Sequence, residues 1–287
     1  MCITLLVVVV LSFVRVGITQ HPYDYRRSSG LFPSVFNLAE GADIFSNTTC
    51  GASEQEIYCK LLSETSSARQ CGICDAAKKD KNHPIEFAID GNENTWWQAS
   101  SLQTGLESNY ATITVDLKEV FQVAYVLITT GISPRPEIGF LKDEECWTAF
   151  GVEPRKDKPS YHSDAEVICT SYYSKLEPLE HAQIHVSLVN GRPGASGPSR
   201  TLVDFIQARF IRFRFLKLQL LPSDSYLMSG FNAIRADDSI ATQARRYFYS
   251  IKDITIGGQC PCNGHANECP VDHETMIPDF RCLEEDS

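Results

Sequence analysis

Residues 111–130 read ATITVDLKEVFQVAYVLITT, and this run does most to limit what the chain can fold into. Ala111, Ile113, Val115 and Leu117 alternate with Thr112, Thr114 and Asp116, the period-two signature of a half-buried strand. Val120 to Thr130 is then nearly continuous in apolar and β-branched residues, as a central strand covered on both faces requires. In residues 208–221 (ARFIRFRFLKLQLL), Ile211, Phe213 and Phe215 face one way and Arg212 and Arg214 the other. Residues 171–188 give an extended piece, a turn at Pro178 and a strand with Ile184, Val186 and Leu188 on one face. Residues 247–256 (YFYSIKDITI) read as a last strand, with Gly257-Gly258 as a hinge after it. Residues 53–63 are helix-like and residues 234–246 form a polar connection with helical character. Many short strands, turn signals and little helix indicate an all-β sandwich or jelly roll.

The cysteines set the compartment. Residues 1–19 carry an uninterrupted apolar run from Ile3 to Val10, continued by Leu11, Phe13 and Val14 before Arg15. That run is short for a bilayer span and suits a secretory signal peptide, so no membrane span is expected. Of eleven cysteines, Cys2 leaves with the signal, and Cys50, Cys59, Cys71, Cys74, Cys146, Cys169, Cys260, Cys262, Cys269 and Cys282 remain as an even set. An oxidising compartment and structural disulfides follow. Cys71-Gly-Ile-Cys74 has no second CxxC or His pair at zinc-finger spacing. The economical reading is two local bridges among Cys50, Cys59, Cys71 and Cys74, pairing open, that pin an irregular flap. Cys146 and Cys169 flank the irregular residues 137–165 and are expected to pair. A net charge of −10 without a dominant basic patch excludes a nucleic-acid partner. Asn47-Thr48-Thr49 is a glycosylation acceptor and places Asn47 at the surface of an exported chain. Residues 190–200 (NGRPGASGPSR), with three glycines and two prolines, read as a surface loop.

Chemistry-bearing residues are few. In HPIEFAIDGNENTWWQ (83–98) an apolar turn runs into the oxygen-rich loop Asp90 to Thr95 and then into two tryptophans, which serve as core anchors. The loop reads either as a solvated Asp-Gly turn or as a clip for a hard cation such as Ca²⁺, which takes carboxylate, carbonyl and hydroxyl oxygens. Arg212 and Arg214 are either the solvated face of a sheet or a small basic stripe for sulfated glycans. No G-x-S-x-G elbow or phosphate-cradling loop is present, and His273-Glu274 lacks the second His of H-E-x-x-H, so nothing asks for catalysis. Residues 260–287 have too few apolar side chains for a core and depend on disulfides.

Taken together, GLFPSVFNLA, TTCG, CGIC with HPIEFAIDGNENTWWQ, VDLKEVFQVAYV, EVICTSYYSKLEPLEHAQIHVSLVNGRPGA, ARFIRFRF and RRYFYSIKDITIGGQCPCNGHANECP resemble the laminin N-terminal domain, its α-chain version most closely. The stretches cover nearly all of the chain after the signal, in family order. The resemblance implies a jelly-roll β-sandwich of the galactose-binding-like kind over 20–259, with peripheral loops and short helices, and a partial laminin EGF-like repeat over 260–287. It implies a secreted basement-membrane and cell-adhesion protein whose partners are laminin β and γ chains, associating in the presence of calcium. For that ion it implies the Phe87 carbonyl, the Asp90 carboxylate, Thr95 and a carbonyl near Lys252. It sets Pro178, Leu179 and Glu180 near intersubunit contacts, and pairs Cys260 with Cys269 and Cys262 with Cys282. A second class is a netrin-like guidance or adhesion ligand that takes heparan sulfate, sulfatide or a cell-surface receptor through Arg212 and Arg214. Two departures stand out. Between Arg135-Pro136 and Glu145-Cys146 only residues 137–144 remain where the family carries a hairpin, which is expected to expose strand edges. The chain stops at Ser287 without a heptad region, which suggests a short capping form.

Overall fold

The computed structural model describes residues 34–60, 70–131, 147, 151–155, 157–170, 172, 182–216, 218, 220, 224, 226–227 and 238–262, and the backbone of 6–8. The strands are β1 (Leu6–Val8), β2 (Phe36–Asn37), β3 (Asp43–Ser46), β4 (Glu56–Cys59), β5 (Cys71–Cys74), β6 (Trp97–Gln98), β7 (Ala111–Thr130), β8 (Pro154–Arg155), β9 (Cys169–Thr170), β10 (Gln183–Ser187), β11 (Gln207–Phe215) and β12 (Ser250–Gln259). Helices α1 (Arg200–Ile206) and α2 (Asp238–Ala244) are short, as are single 3₁₀ turns at Ile85–Ala88, Leu106–Asn109 and Pro193–Ser196.

While β4–β5 and β8–β9 form two small sheets of their own, the eight-stranded main sheet is built around β7. Its first half buries Ala111, Ile113, Val115 and Leu117 and lies antiparallel between β3 and β11. Its second half buries Phe121, Val123, Val126 and Ile128 and lies antiparallel between β10 and β12. Alternation predicts two strands here; one strand of 20 residues runs through both layers. The turn between layers falls at Lys118, whose φ of 71° is the one left-handed non-glycine backbone among the described residues. Its amide donates to Asp116 Oδ1 at 2.8 Å, and the same carboxylate accepts Arg209 Nε at 2.8 Å and Nη2 at 3.0 Å. Here the β7–β11 register shifts: between Ala208↔Phe121 and Phe210↔Asp116 the extra residues are 117–120 of β7, opposite Arg209 alone. Its fork holds the Asp116 carboxyl below the usual range.

Trp97, Phe121, Phe213, Phe215, Tyr247 and Tyr249 are fully buried between the layers. Each contributes about 1.5–3 kcal/mol by leaving water. β12 also carries β6 (Ser250↔Gln98, Ile251↔Trp97) and β2 (Gly257↔Asn37, Gly258↔Phe36). β1, from the stretch expected to be a signal peptide, pairs with Arg212–Arg214 on the free edge of β11. This is the all-β sandwich that the alternation predicts. Among the described residues, no helix is long and apolar enough to cross a membrane.

Two local expectations are corrected and a third is refined. Gly257 and Gly258 are not a hinge: both lie inside β12. A Cβ on Gly257 would come within 2.1 Å of the Tyr125 ring, and one on Gly258 within 2.4 Å of Leu38 Cδ1, so packing demands glycine here. Within 53–63, residues 56–59 form β4 of the β4–β5 hairpin rather than a helix, because the cross-strand Cys59–Cys71 disulfide overrides weak local propensity. Residues 190–200 lie mostly at the surface as expected, with Gly191, Pro193, Gly197 and Pro198 exposed, but Arg192 and Gly194 are buried. Arg192 Nε donates to Leu188 O at 2.7 Å, and Nη1 to Asp164 O at 2.9 Å and Glu166 O at 3.0 Å. Its guanidinium lies 3.9 Å from the Tyr161 ring centroid and 4.4 Å from that of Phe205. Asp164 returns the grip, accepting the Gly194 amide at 2.7 Å and the hydroxyl of Ser199, the N-cap of α1.

Candidate functional site

Residues 83–98 sit where the disulfide flap, β12 and β3 converge. Ile85 and Ala88 are buried in the core and anchor the 3₁₀ turn Ile85–Ala88 against β12 and β3. Beyond it Gly91 takes φ 66° with nothing within 4 Å of a would-be Cβ, so the loop reverses without strain. Asp90 Oδ1 accepts the Asn92 amide at 2.9 Å, and Asn92 Oδ1 accepts the Asn94 amide at 3.0 Å. The Thr95 hydroxyl lies 2.8 and 3.0 Å from the two Asp90 carboxylate oxygens and 2.9 Å from the Asn92 carbonyl. Asp90 and Thr95 are thus brought together, on an exposed loop held by its own hydrogen bonds. No hydrogen bond reaches the Phe87 carbonyl from the described residues. Lys252 enters through β12, whose register against β7 shifts between Ile251 and Asp253, making Lys252 a bulge residue beside the turn.

Sequence reasoning passed over the next residue. Burial raises the Asp253 carboxyl pKa, the Thr255 hydroxyl at 2.8 Å partly offsets this, and the charges of Asp90 and Glu40 raise it further. A partly buried carboxyl whose pKa is raised, with two further carboxylates near it, marks a place where a cation would relieve repulsion. The sequence signal was a charged residue inside the apolar run YFYSIKDITI, which alternation alone scores as solvent-facing. Among the described residues, no three His, Cys, Asp or Glu side chains are grouped to hold a metal. A cation here would therefore draw on carbonyl and hydroxyl oxygens, the donor set a hard ion accepts.

The tryptophans tie this loop to the flap. Trp97 is fully buried and donates from Nε1 to Thr49 Oγ1 at 3.3 Å. Trp96 donates to Gln98 Oε1 at 3.2 Å and stacks on His83 with ring centroids 4.2 Å apart. Burial lowers the His83 pKa to about 4, against a hydrogen bond with the Trp96 backbone, so the imidazole is neutral at pH 7. Gln98 Nε2 lies 3.5 Å from both sulfurs of the Cys50–Cys74 disulfide, and Cys59–Cys71 closes the hairpin. The open pairing is settled as nested bridges, Cys59–Cys71 within Cys50–Cys74. Cys169, Cys260 and Cys262 are disulfide-bonded. The expected partners Cys146, Cys269 and Cys282 lie outside the described residues, as do Pro178, Leu179 and Glu180.

Arg212 and Arg214 are exposed on the outer face of the β3–β7–β11 layer while Ile211, Phe213 and Phe215 point inward, as their alternation predicts. Arg212 Nε donates to Thr114 Oγ1 at 3.2 Å, and Arg214 Nε to the Tyr110 hydroxyl at 2.9 Å. Asn47, exposed on the same face, accepts the Thr112 amide at 2.6 Å.

The geometry defines a class: a disulfide-stapled, double-layered antiparallel β module with one oxygen-rich loop and one basic outer face. Residues 31–144 and 140–258 match the Laminin N-terminal (Domain VI) family. The chain belongs to that family. It is 44% identical over 276 residues to laminin subunit alpha-1 of Mus musculus, covering 88% of this chain and 9% of that subunit. It is 37% identical to laminin subunit alpha of Drosophila melanogaster, covering 84% of this chain and 7% of that subunit. Laminin subunit gamma-1 of Xenopus tropicalis is more distant at 26%, covering 93% of this chain and 17% of that subunit. The chain thus spans less than a tenth of the length of these laminin α subunits. A family 32 carbohydrate-binding module of C. perfringens NanJ, solved with galactose, is similar at TM-score 0.34 and 12% identity over 78% of this chain and 98% of that one, too loosely to bear on function.

Proposed function

We propose that the chain is exported and acts, without catalysis, as a laminin α-type N-terminal module of the extracellular matrix, associating with the N-terminal domains of laminin β and γ chains in the basement membrane. The observation that carries this reading is 44% identity to laminin subunit alpha-1 across 88% of the chain. A calcium ion is part of the proposal. The Phe87 carbonyl, the Asp90 carboxylate, the Thr95 hydroxyl and the backbone at the Lys252 bulge would hold it, and it would supply positive charge beside Asp90 and Asp253. That role is supported by the Phe87 carbonyl, which accepts no hydrogen bond from the described residues, and by the raised Asp253 pKa. The chain's own part is to fix the loop: Ile85 and Ala88 anchor it, Gly91 reverses it, and the Asn92 amide orients Asp90.

Sedimentation of the secreted chain with laminin β and γ N-terminal domains tests the reading. Complex in Ca²⁺ that dissociates in chelator is expected, whereas separate sedimentation in both conditions removes it. A second reading, binding of sulfated glycans, is favoured by the exposure of Arg212 and Arg214 on one face. Heparin retention that falls with salt and with Arg212→Ala plus Arg214→Ala would support it, and unchanged retention would dismiss it.

A further inference from the structure

The outer face of the β3–β7–β11 layer carries an aromatic side chain that the core does not use. β3 has alternating burial, with Asp43 and Phe45 exposed and Ile44 buried. Phe45 is 60% exposed, and only Trp147 among the described large apolar side chains is more so. Its strand neighbour across the ladder is Thr114, which accepts from Arg212, so no apolar side chain shields the ring in that row. A phenyl ring left in water on an edge strand costs free energy in proportion to its area, and monomeric surfaces usually cover such a ring or use it.

Two residues on, just past the end of β3, stands Asn47 of the acceptor Asn47-Thr48-Thr49, exposed as Phe45 is. Its amide plane is set: Oδ1 accepts the Thr112 amide at 2.6 Å, while Nδ2, the nitrogen a sugar would modify, makes only a long 3.5 Å contact with the Tyr110 carbonyl. Glycosylation keeps one hydrogen on that nitrogen and leaves Oδ1 unaltered, so the modified residue retains both partners. We propose that Asn47 carries an N-linked glycan whose first N-acetylglucosamine packs its C–H face on the Phe45 ring, so that the glycan is the missing cover of this sheet face. The amide carbonyl holds the attachment point against β7, two residues along the chain from the exposed ring, within reach of the first sugar. Beyond the first sugar the glycan lies over the row that holds Tyr110, Thr112 and Arg214. A protein partner must then approach by another face. This proposal rests on the reading of an exported chain.

The test uses the full chain secreted from cells that make only oligomannose glycans, together with Phe45→Ala and Phe45→Tyr. Peptide mass spectrometry is expected to find Asn47 modified in all three. Enzymatic release of the glycan is expected to lower the melting temperature by about 2–4 °C more in the parent and Phe45→Tyr than in Phe45→Ala. Release converts Asn47 to Asp in every chain, so that change cancels. Trimming to a single N-acetylglucosamine should retain the parent's full melting temperature, because the first sugar makes the contact. Export with an unmodified Asn47, or equal losses with and without the ring, overturns the proposal while leaving the laminin-type reading intact. A chain that is never exported overturns both.

Discussion

Replacing Arg192 by methionine should be among the most destabilising single changes outside the apolar core. Methionine keeps roughly the length and apolar stem of the side chain but removes the guanidinium, leaving the carbonyls of Leu188, Asp164 and Glu166 without their donor. A hydrogen bond to a charged group contributes about 1.5–3 kcal/mol, and a desolvated cation–π contact about 2 kcal/mol. One guanidinium serves all of these contacts, so they do not add, and three orphaned carbonyls together with the lost ring contacts should cost about 3–5 kcal/mol. At about 2–4 °C per kcal/mol for a domain of this size, the melting temperature should fall by roughly 6–20 °C. Arg192→Lys keeps the charge but cannot hold the ring stack and the carbonyls at once, and should lose about half as much. Thermal melts followed by circular dichroism give the number, and limited proteolysis should show new cleavage near Tyr161 to Glu166. A chain with Arg192→Met that melts within about 2 °C of the parent, with no new cleavage, would refute the clamp.

Other expectations follow from the same geometry. Burial puts the His83 pKa near 4, below the ordinary 6.5, so the folded state takes up this proton less readily than the unfolded one. The contribution is whole above pH 6.5 and is lost as the pH falls toward 4, by about 2–3 kcal/mol once solvent screening is allowed for; melts from pH 7 to 4.5 should flatten in His83→Gln. Gly258→Ala would set a Cβ 2.7 Å from the Gln122 carbonyl as well as against Leu38, which should cost about 1–3 kcal/mol and lower the yield of secreted protein. If calcium binds at Asp90, free Ca²⁺ at a hundred times its dissociation constant should add about 2.7 kcal/mol of stability, and Asp90→Asn should abolish the shift seen in a calcium-versus-chelator melt. In chelator, Asp253→Asn should raise the melting temperature, since it removes a carboxylate whose charged form is disfavoured by burial and by Asp90 and Glu40.

The sandwich was legible because strands announce themselves locally. The alternations at Ala111–Leu117 and Ile211–Phe215 predicted which side chains are buried, and the structure buries them. Features that depend on a distant neighbour were not legible. Gly257-Gly258 looked like a hinge because nothing in the sequence says that Tyr125 and Leu38 lie against it. Arg192 was hidden in a stretch rich in glycine and proline, where composition signals exposure, because its partners come from residues 161–166 and from Phe205. The oxygen-rich loop showed its own residues, Asp90 and Thr95, but Asp253 faces it from far along the chain and only the register of β12 brings it there.

The shared strand β7 has a mechanical corollary. Since the same 20 residues hydrogen-bond to both layers, tension on either layer is passed along one covalent backbone to the other through the bend at Lys118. Amide protons in β11 and β12 should therefore become exchangeable together, in a single opening event, and a pulling experiment should record one rupture where a sandwich of independent sheets would give two.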